Sequence, residues 1–181
     1  IYTMEDALLF ASMMMNFLRC SDRVKIACQS LLTNISSCIM TERGGDVWLQ
    51  PIYYPFAIMA KYGRGIVLDE RSEGPSYASG EFAEVPYIDK VAVWNEQAGE
   101  VVLFLINRGE EKAETEIELQ GFEAEQIVAS TVLHHEDKKA TNQIQHDRVV
   151  PQVCENVSLK NGRVMCELLP LSFEMIRVAV R

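Results

Sequence analysis

Gln50 is the side chain in this sequence best suited to hold a ligand. It lies in residues 41–65, TERGGDVWLQPIYYPFAIMAKYGRG, among Trp48, Tyr53, Tyr54, Phe56 and Tyr62. A primary amide donates and accepts hydrogen bonds at once. Held beside aromatic faces, it suits hydroxyl-rich ligands such as sugars. The same residue types also fit a buried aromatic cluster whose glutamine is satisfied internally. Glu42 and Asp46 flank the Gly44-Gly45 turn and either line a site entrance or stand as solvated loop acids. His134 and His135 are adjacent, so on a strand they point to opposite faces and do not chelate together; with His146 they assign no metal. Glu96 follows Trp94-Asn95 at the end of a strand and reads as a solvated turn acid, and Lys138-Lys139 as a solvated pair. There is no Ser-His-Asp spacing, no phosphate loop and no basic, aromatic-rich face, and no cofactor is called for.

The elements that position Gln50 follow from local signals. Pro51 suits a first helical position, which puts Gln50 at the loop–helix junction, near the positive end of the helix dipole. Gly63 suits the helix end as a left-handed residue, and Pro55 bends the helix or loosens its first turn. Upstream, Thr3 and Asp6 form a capping-box-like start to a helix reaching about Cys20. Apolar residues cover most of its circumference, which indicates burial on several sides. Residues 24–28, VKIAC, read as a short strand. Helix, strand, long loop 29–50, helix is the order of a parallel α/β protein, whose functional groups lie after the strands' carboxyl ends.

After Gly65 the composition turns to Gly, Ser, Pro and acids, so residues 66–86 read as a linker with room for one short strand. From residue 87 the period becomes two. Val91, Val93, Val101, Leu103 and Leu105 predict a hairpin about Ala98-Gly99. Further strands are expected over 113–119, 126–133, 163–168 and 173–180, which together make an antiparallel sandwich, with 134–158 a polar excursion.

At 181 residues the chain is too short for a whole (β/α)8 barrel of about 250 residues. Its 48% hydrophobic content is ample for a packed core. A net charge of −9 argues against nucleic-acid and anionic-membrane partners. Five cysteines without C-x-x-C spacing point to a reducing compartment; Cys20, Cys28 and Cys38 read as small buried hydrophobes. The apolar run 7–18 lacks the basic flank and cleavage site of a signal peptide and is too short to span a membrane. Those features suggest a cytoplasmic protein, and the start on a helix cap suggests a piece of a longer polypeptide.

Residues 40–65, MTERGGDVWLQPIYYPFAIMAKYGRG, resemble the segment of glycoside hydrolase family 51, the α-L-arabinofuranosidases, that follows the last barrel strand. YTMEDALLFA and DRVKIAC before it, and VPYIDKVAVWN, ELQGF, HHEDKKATN and DRVVP after it, resemble the family in the same order. Leu49 stands where the family usually carries an arginine. The resemblance implies the terminal helix–strand–helix part of a (β/α)8 barrel over residues 1–65, then an antiparallel jelly-roll-like β-sandwich over 87–181. It implies a retaining enzyme that removes terminal α-L-arabinofuranosyl groups from arabinan or arabinoxylan. Retaining glycosidases use two carboxyl groups about 5–5.5 Å apart; the family's two glutamates lie on barrel strands upstream of Ile1, so this chain alone is expected to be inactive. Gln50 matches the family glutamine that binds the arabinofuranosyl unit, Trp48 shapes that pocket, and Asn34 stabilises the loop. The implied partners are arabinofuranosyl glycans, the upstream part of the enzyme and, as often in the family, further copies of the chain. The alternative is a non-catalytic carbohydrate-binding or oligomerisation sandwich.

Overall fold

The computed structural model describes residues 1–181. Helix α1, Met4–Arg19, starts from a complete capping box. The Asp6 N–H donates to the Thr3 hydroxyl, and the Thr3 N–H donates to the Asp6 carboxylate at 2.8 Å. Met4, Ala7, Leu8, Ala11 and Met15 turn inward at helical spacing. Leu9, Met13 and Phe17 form a second stripe that stays exposed, Leu9 at 65%.

The strand expected at 24–28 does not form. The segment has no regular structure and pairs with no strand, and Ile26 is 84% exposed. A strand needs a neighbour to take its backbone groups, and no part of this chain supplies one. Cys28 is accordingly exposed, whereas Cys38 is buried. The long loop carries a small hairpin, β1 (Ile39–Thr41) and β2 (Val47–Leu49), turned at Gly44, whose φ of 71° favours glycine. Asn34 ties the loop as expected: its amide donates to the Thr41 hydroxyl at 2.9 Å and accepts from the Thr41 N–H at 2.8 Å.

Helix α2, Tyr53–Tyr62, begins two residues later than Pro51. Pro55 is its third residue, where a backbone N–H would have no intrahelical partner, so the helix runs on past it. Gly63 is not left-handed (φ −79°). It is required for space instead: a Cβ there would sit 2.7 Å from the Met59 carbonyl oxygen.

The region read as a linker is structured. It holds β3 (Ile66–Val67) and an exposed hairpin, β4 (Ser76–Ser79) with β5 (Phe82–Pro86). There follow β6 (Ile88–Asn95), β7 (Glu100–Asn107), β8 (Ala113–Ile117), β9 (Ala124–His134), β10 (Gln152–Val153), β11 (Val157–Lys160), β12 (Arg163–Leu168) and β13 (Ser172–Val180). A six-stranded antiparallel sheet has the order β10-β9-β13-β7-β6-β3, and a three-stranded sheet the order β11-β12-β8. Val101, Leu103, Leu105, Ile176 and Val178 meet Val164, Cys166 and Leu168 of β12 in the sandwich interior. The alternate residues of β7, Val102, Phe104 and Ile106, pack against α1 on the other face. This is why β7 reads as an unbroken apolar run: it is buried on both sides.

The helices therefore share one core with the larger sheet, and two polar clamps hold them there. Asp89 of β6, 8% exposed, accepts from Ser12 at 2.7 Å and from the guanidinium groups of Arg19 and Arg108. Burial alone would lower the Arg19 pKa, but Asp89 and Glu70 outweigh it and hold the group above its ordinary value. At the other end, Arg177 grips both oxygens of Glu100 at 2.8 Å and lies over the Tyr62 ring.

Candidate functional site

Gln50 follows β2 directly and is 1% exposed. Its side-chain oxygen accepts from the Tyr2 N–H at 2.8 Å, and its NH2 donates to the Ser37 carbonyl at 2.6 Å. Its own N–H donates to the Cys38 carbonyl at 2.9 Å. The amide thus joins the loop to the residues that lead into α1. One amide proton and one oxygen lone pair remain beyond these bonds.

Trp48 is half-buried on β2, opposite Met40. The other aromatic residues have packing partners of their own. Phe56 packs on Phe10, Tyr53 on Tyr54, and Tyr62 on Arg177. The Tyr54 hydroxyl is pushed up to about 12, first by burial and then by the charges of Asp147 and Tyr53. Glu42 and Asp46 are exposed at the hairpin tip, and Asp46 accepts from Gln145 at 3.3 Å. Glu96 is exposed in its turn. His146 lines a shallow polar depression with Thr141, Gln143 and Arg148. No three His, Cys, Asp or Glu side chains converge as metal ligands do.

One buried acid lies elsewhere. Glu174 of β13 is 0% exposed and faces the sandwich interior, where the Cys154 thiol approaches one carboxyl oxygen at 3.7 Å and the other oxygen has no partner. Burial pushes its pKa up to about 7, against the pull of the Leu169 N–H and the Cys154 thiol. It is a lone acid inside a packed core, without the second carboxyl group that glycoside hydrolysis requires. The sequence signal for both Glu174 and Asp89 is a single acid inside an apolar strand, which period counting passes over. Asn142 was equally missed. It is 1% exposed, donates to the carbonyls of Leu49 and Val149 at 3.0 and 2.8 Å, and accepts from the Val149 N–H at 2.8 Å.

These features define a two-sheet β-sandwich with a helical pair on its larger sheet and a loop anchored by a buried amide. The sequence pattern of the family described as "Alpha-L-arabinofuranosidase C-terminal domain" matches residues 1–172, and the chain belongs to that family. The intracellular exo-α-(1→5)-L-arabinofuranosidase 1 of Bacillus subtilis is 42% identical over 178 residues, 98% of this chain and 36% of that protein. The intracellular exo-α-(1→5)-L-arabinofuranosidase of Halalkalibacterium halodurans is 40% identical over 98% of this chain and 36% of its own length. A solved family 51 α-L-arabinofuranosidase from Bifidobacterium longum superposes with a TM-score of 0.91 at 30% identity, covering 98% of this chain and 35% of that one. The chain thus spans little more than a third of these relatives.

Proposed function

We propose that this chain is the C-terminal part of a retaining α-L-arabinofuranosidase. The whole enzyme removes terminal α-L-arabinofuranosyl groups from arabinan- or arabinoxylan-type glycans. The observation that carries this is the 42% identity, across nearly all of this chain, to a protein named as an exo-α-(1→5)-L-arabinofuranosidase.

In this reading residues 1–65 are the closing helix–strand–helix part of a (β/α)8 barrel, 66–86 join the parts, and 87–181 are the sandwich. The exposed stripe Leu9, Met13 and Phe17 and the unpaired segment 24–28 support it. Exposed apolar side chains, together with a segment whose strand pattern finds no partner, suit the remainder of a barrel. The catalytic glutamates lie upstream, and this segment contributes Gln50 and Trp48 to the sugar pocket. In this chain Gln50 is 1% exposed and its bonds to Tyr2 and Ser37 fix the amide; its uncommitted proton and lone pair reach the sugar once the loop opens in the full-length protein. The protein works in the cytoplasm, as the names of its relatives suggest for them; no helix is long and apolar enough to cross a membrane.

The test is turnover of an aryl α-L-arabinofuranoside by the full-length protein, followed by NMR of the first-formed sugar. Release of the α anomer supports the reading; release of the β anomer, or no turnover, overturns it. The alternative of a homo-oligomeric assembly module rests on the same exposed apolar stripe. Sedimentation of the full-length protein with and without Leu9→Lys and Phe17→Lys separates the two: dissociation on substitution assigns the stripe to a second copy, and an unchanged oligomeric state leaves it to the barrel.

A further inference from the structure

We propose that Asn142, in the sandwich, is a positioning residue for Gln50. The inference rests on the proposed role of Gln50 in sugar binding. The peptide unit between Leu49 and Gln50 is held from both sides. Its carbonyl accepts from the Asn142 amide at 3.0 Å, and its N–H donates to the Cys38 carbonyl at 2.9 Å. A peptide plane fixed at both ends fixes the direction in which the Gln50 side chain leaves the backbone.

The bond from Asn142 to Leu49 spans 93 positions of sequence. It comes from an excursion that is itself closed by the two bonds between Asn142 and Val149. The same excursion reaches the other anchor of Gln50. The carbonyls of Ala140 and Lys138 accept from the N–H groups of Met4 and Glu5, each at 2.9 Å. Those residues directly follow Tyr2 and Thr3, and the Tyr2 N–H holds the Gln50 side-chain oxygen. Residues 138–149 therefore brace both the backbone and the side-chain amide of Gln50.

Asn is the residue type that can do this. Its NH2 supplies one proton to Leu49 and one to Val149, while its oxygen takes the Val149 N–H. Asp keeps only the last of these bonds. The excursion thereby acquires a function that its polar composition does not announce: it couples the sandwich to the sugar pocket.

A double-mutant cycle in the full-length enzyme tests this. Asn142→Ala is measured alone and in a Gln50→Ala background, with kcat and KM on an aryl arabinofuranoside and a thermal melt of each variant. If Asn142 acts through Gln50, Asn142→Ala lowers kcat/KM about tenfold alone and less than about twofold when Gln50 is already gone. Asn142→Ser, whose hydroxyl is small and uncharged and so places no charge against the Leu49 and Val149 carbonyls, gives the same pattern and serves if the alanine variant fails to fold. A loss that is equal in both backgrounds overturns the inference and leaves the sugar-binding role of Gln50 standing. A Gln50→Ala enzyme with unchanged kinetics overturns both.

Discussion

Replacing Asp89 by alanine tests whether the helices and the sandwich are one cooperative unit. The Asp89 carboxylate accepts from Ser12, Arg19 and Arg108 and from the Lys90 N–H. Removing one partner of a buried ion pair costs about 3–5 kcal/mol, because the other charge stays behind unpaired. Two features pull the figure to the low end. The Arg19 and Arg108 side chains are about a quarter exposed, so water replaces part of what is lost. Arg19 also keeps Glu70, and Arg108 keeps the Ser12 hydroxyl at 2.9 Å. The expected cost is about 3 kcal/mol, a fall in Tm of about 6–12 °C for a chain of this size. Circular dichroism at 222 nm and near-ultraviolet signals should fall together, since α1 and the sheet share a core. The clamp is largely shielded from solvent, so added salt should leave most of the effect in place. A fall under about 2 °C, or helix loss well before sheet loss, would refute the shared-core argument.

Glu174 predicts a pH dependence of defined sign. Its folded pKa of about 7 exceeds the ordinary value of 4.5, so between those values the folded state holds a proton that the unfolded chain has shed. Its stabilising contribution is complete below pH 4.5 and is lost as pH rises through 7. Cys154 and Cys166 are the titratable groups coupled to it, and burial pushes both thiols up, Cys166 to about 11. Urea melts of the parent and Glu174→Gln at pH 5 and pH 8 should differ by about 2.5 kcal/mol more at the higher pH, in favour of the variant; a constant difference speaks against the assignment. Gly65→Ala should cost at least about 2 kcal/mol. Gly65 has a φ of 145°, and a Cβ there would lie 2.0 Å from the Trp94 carbonyl oxygen, where β3 joins β6. An unchanged melting temperature would contradict this. Leu9→Lys with Phe17→Lys should reduce self-association of the 181-residue chain in sedimentation and impair the full-length enzyme. An enzyme unaffected by both changes would show that this stripe is not a barrel contact.

Most of the fold was legible where local chemistry decides it. The Thr3–Asp6 cap, the hairpin at Gly99 and strands β9, β12 and β13 all follow from spacing of neighbours in sequence. Strands β10 and β11 were hidden, because two- and four-residue strands exist only by virtue of the partner that pairs them. Residues 24–28 failed in the opposite way: the strand pattern is present and the partner is not. The two-sided burial of β7 was visible as an apolar run but was read as one-sided, since nothing local tells which face a helix covers. Gln50 could be singled out by type, but its bonds reach Ser37 and Tyr2, 13 and 48 positions away. Only the folded chain brings those backbone atoms to it. The same distance in sequence concealed Asn142 and Asp89.

The most direct measurement is turnover of an aryl α-L-arabinofuranoside by this 181-residue chain alone, alongside the full-length protein at equal concentration. The account predicts no turnover above buffer by the chain alone and clear turnover by the full-length protein, because the two carboxyl groups lie outside these residues. Turnover by the chain alone would contradict it, and would place a working carboxylate pair within these residues.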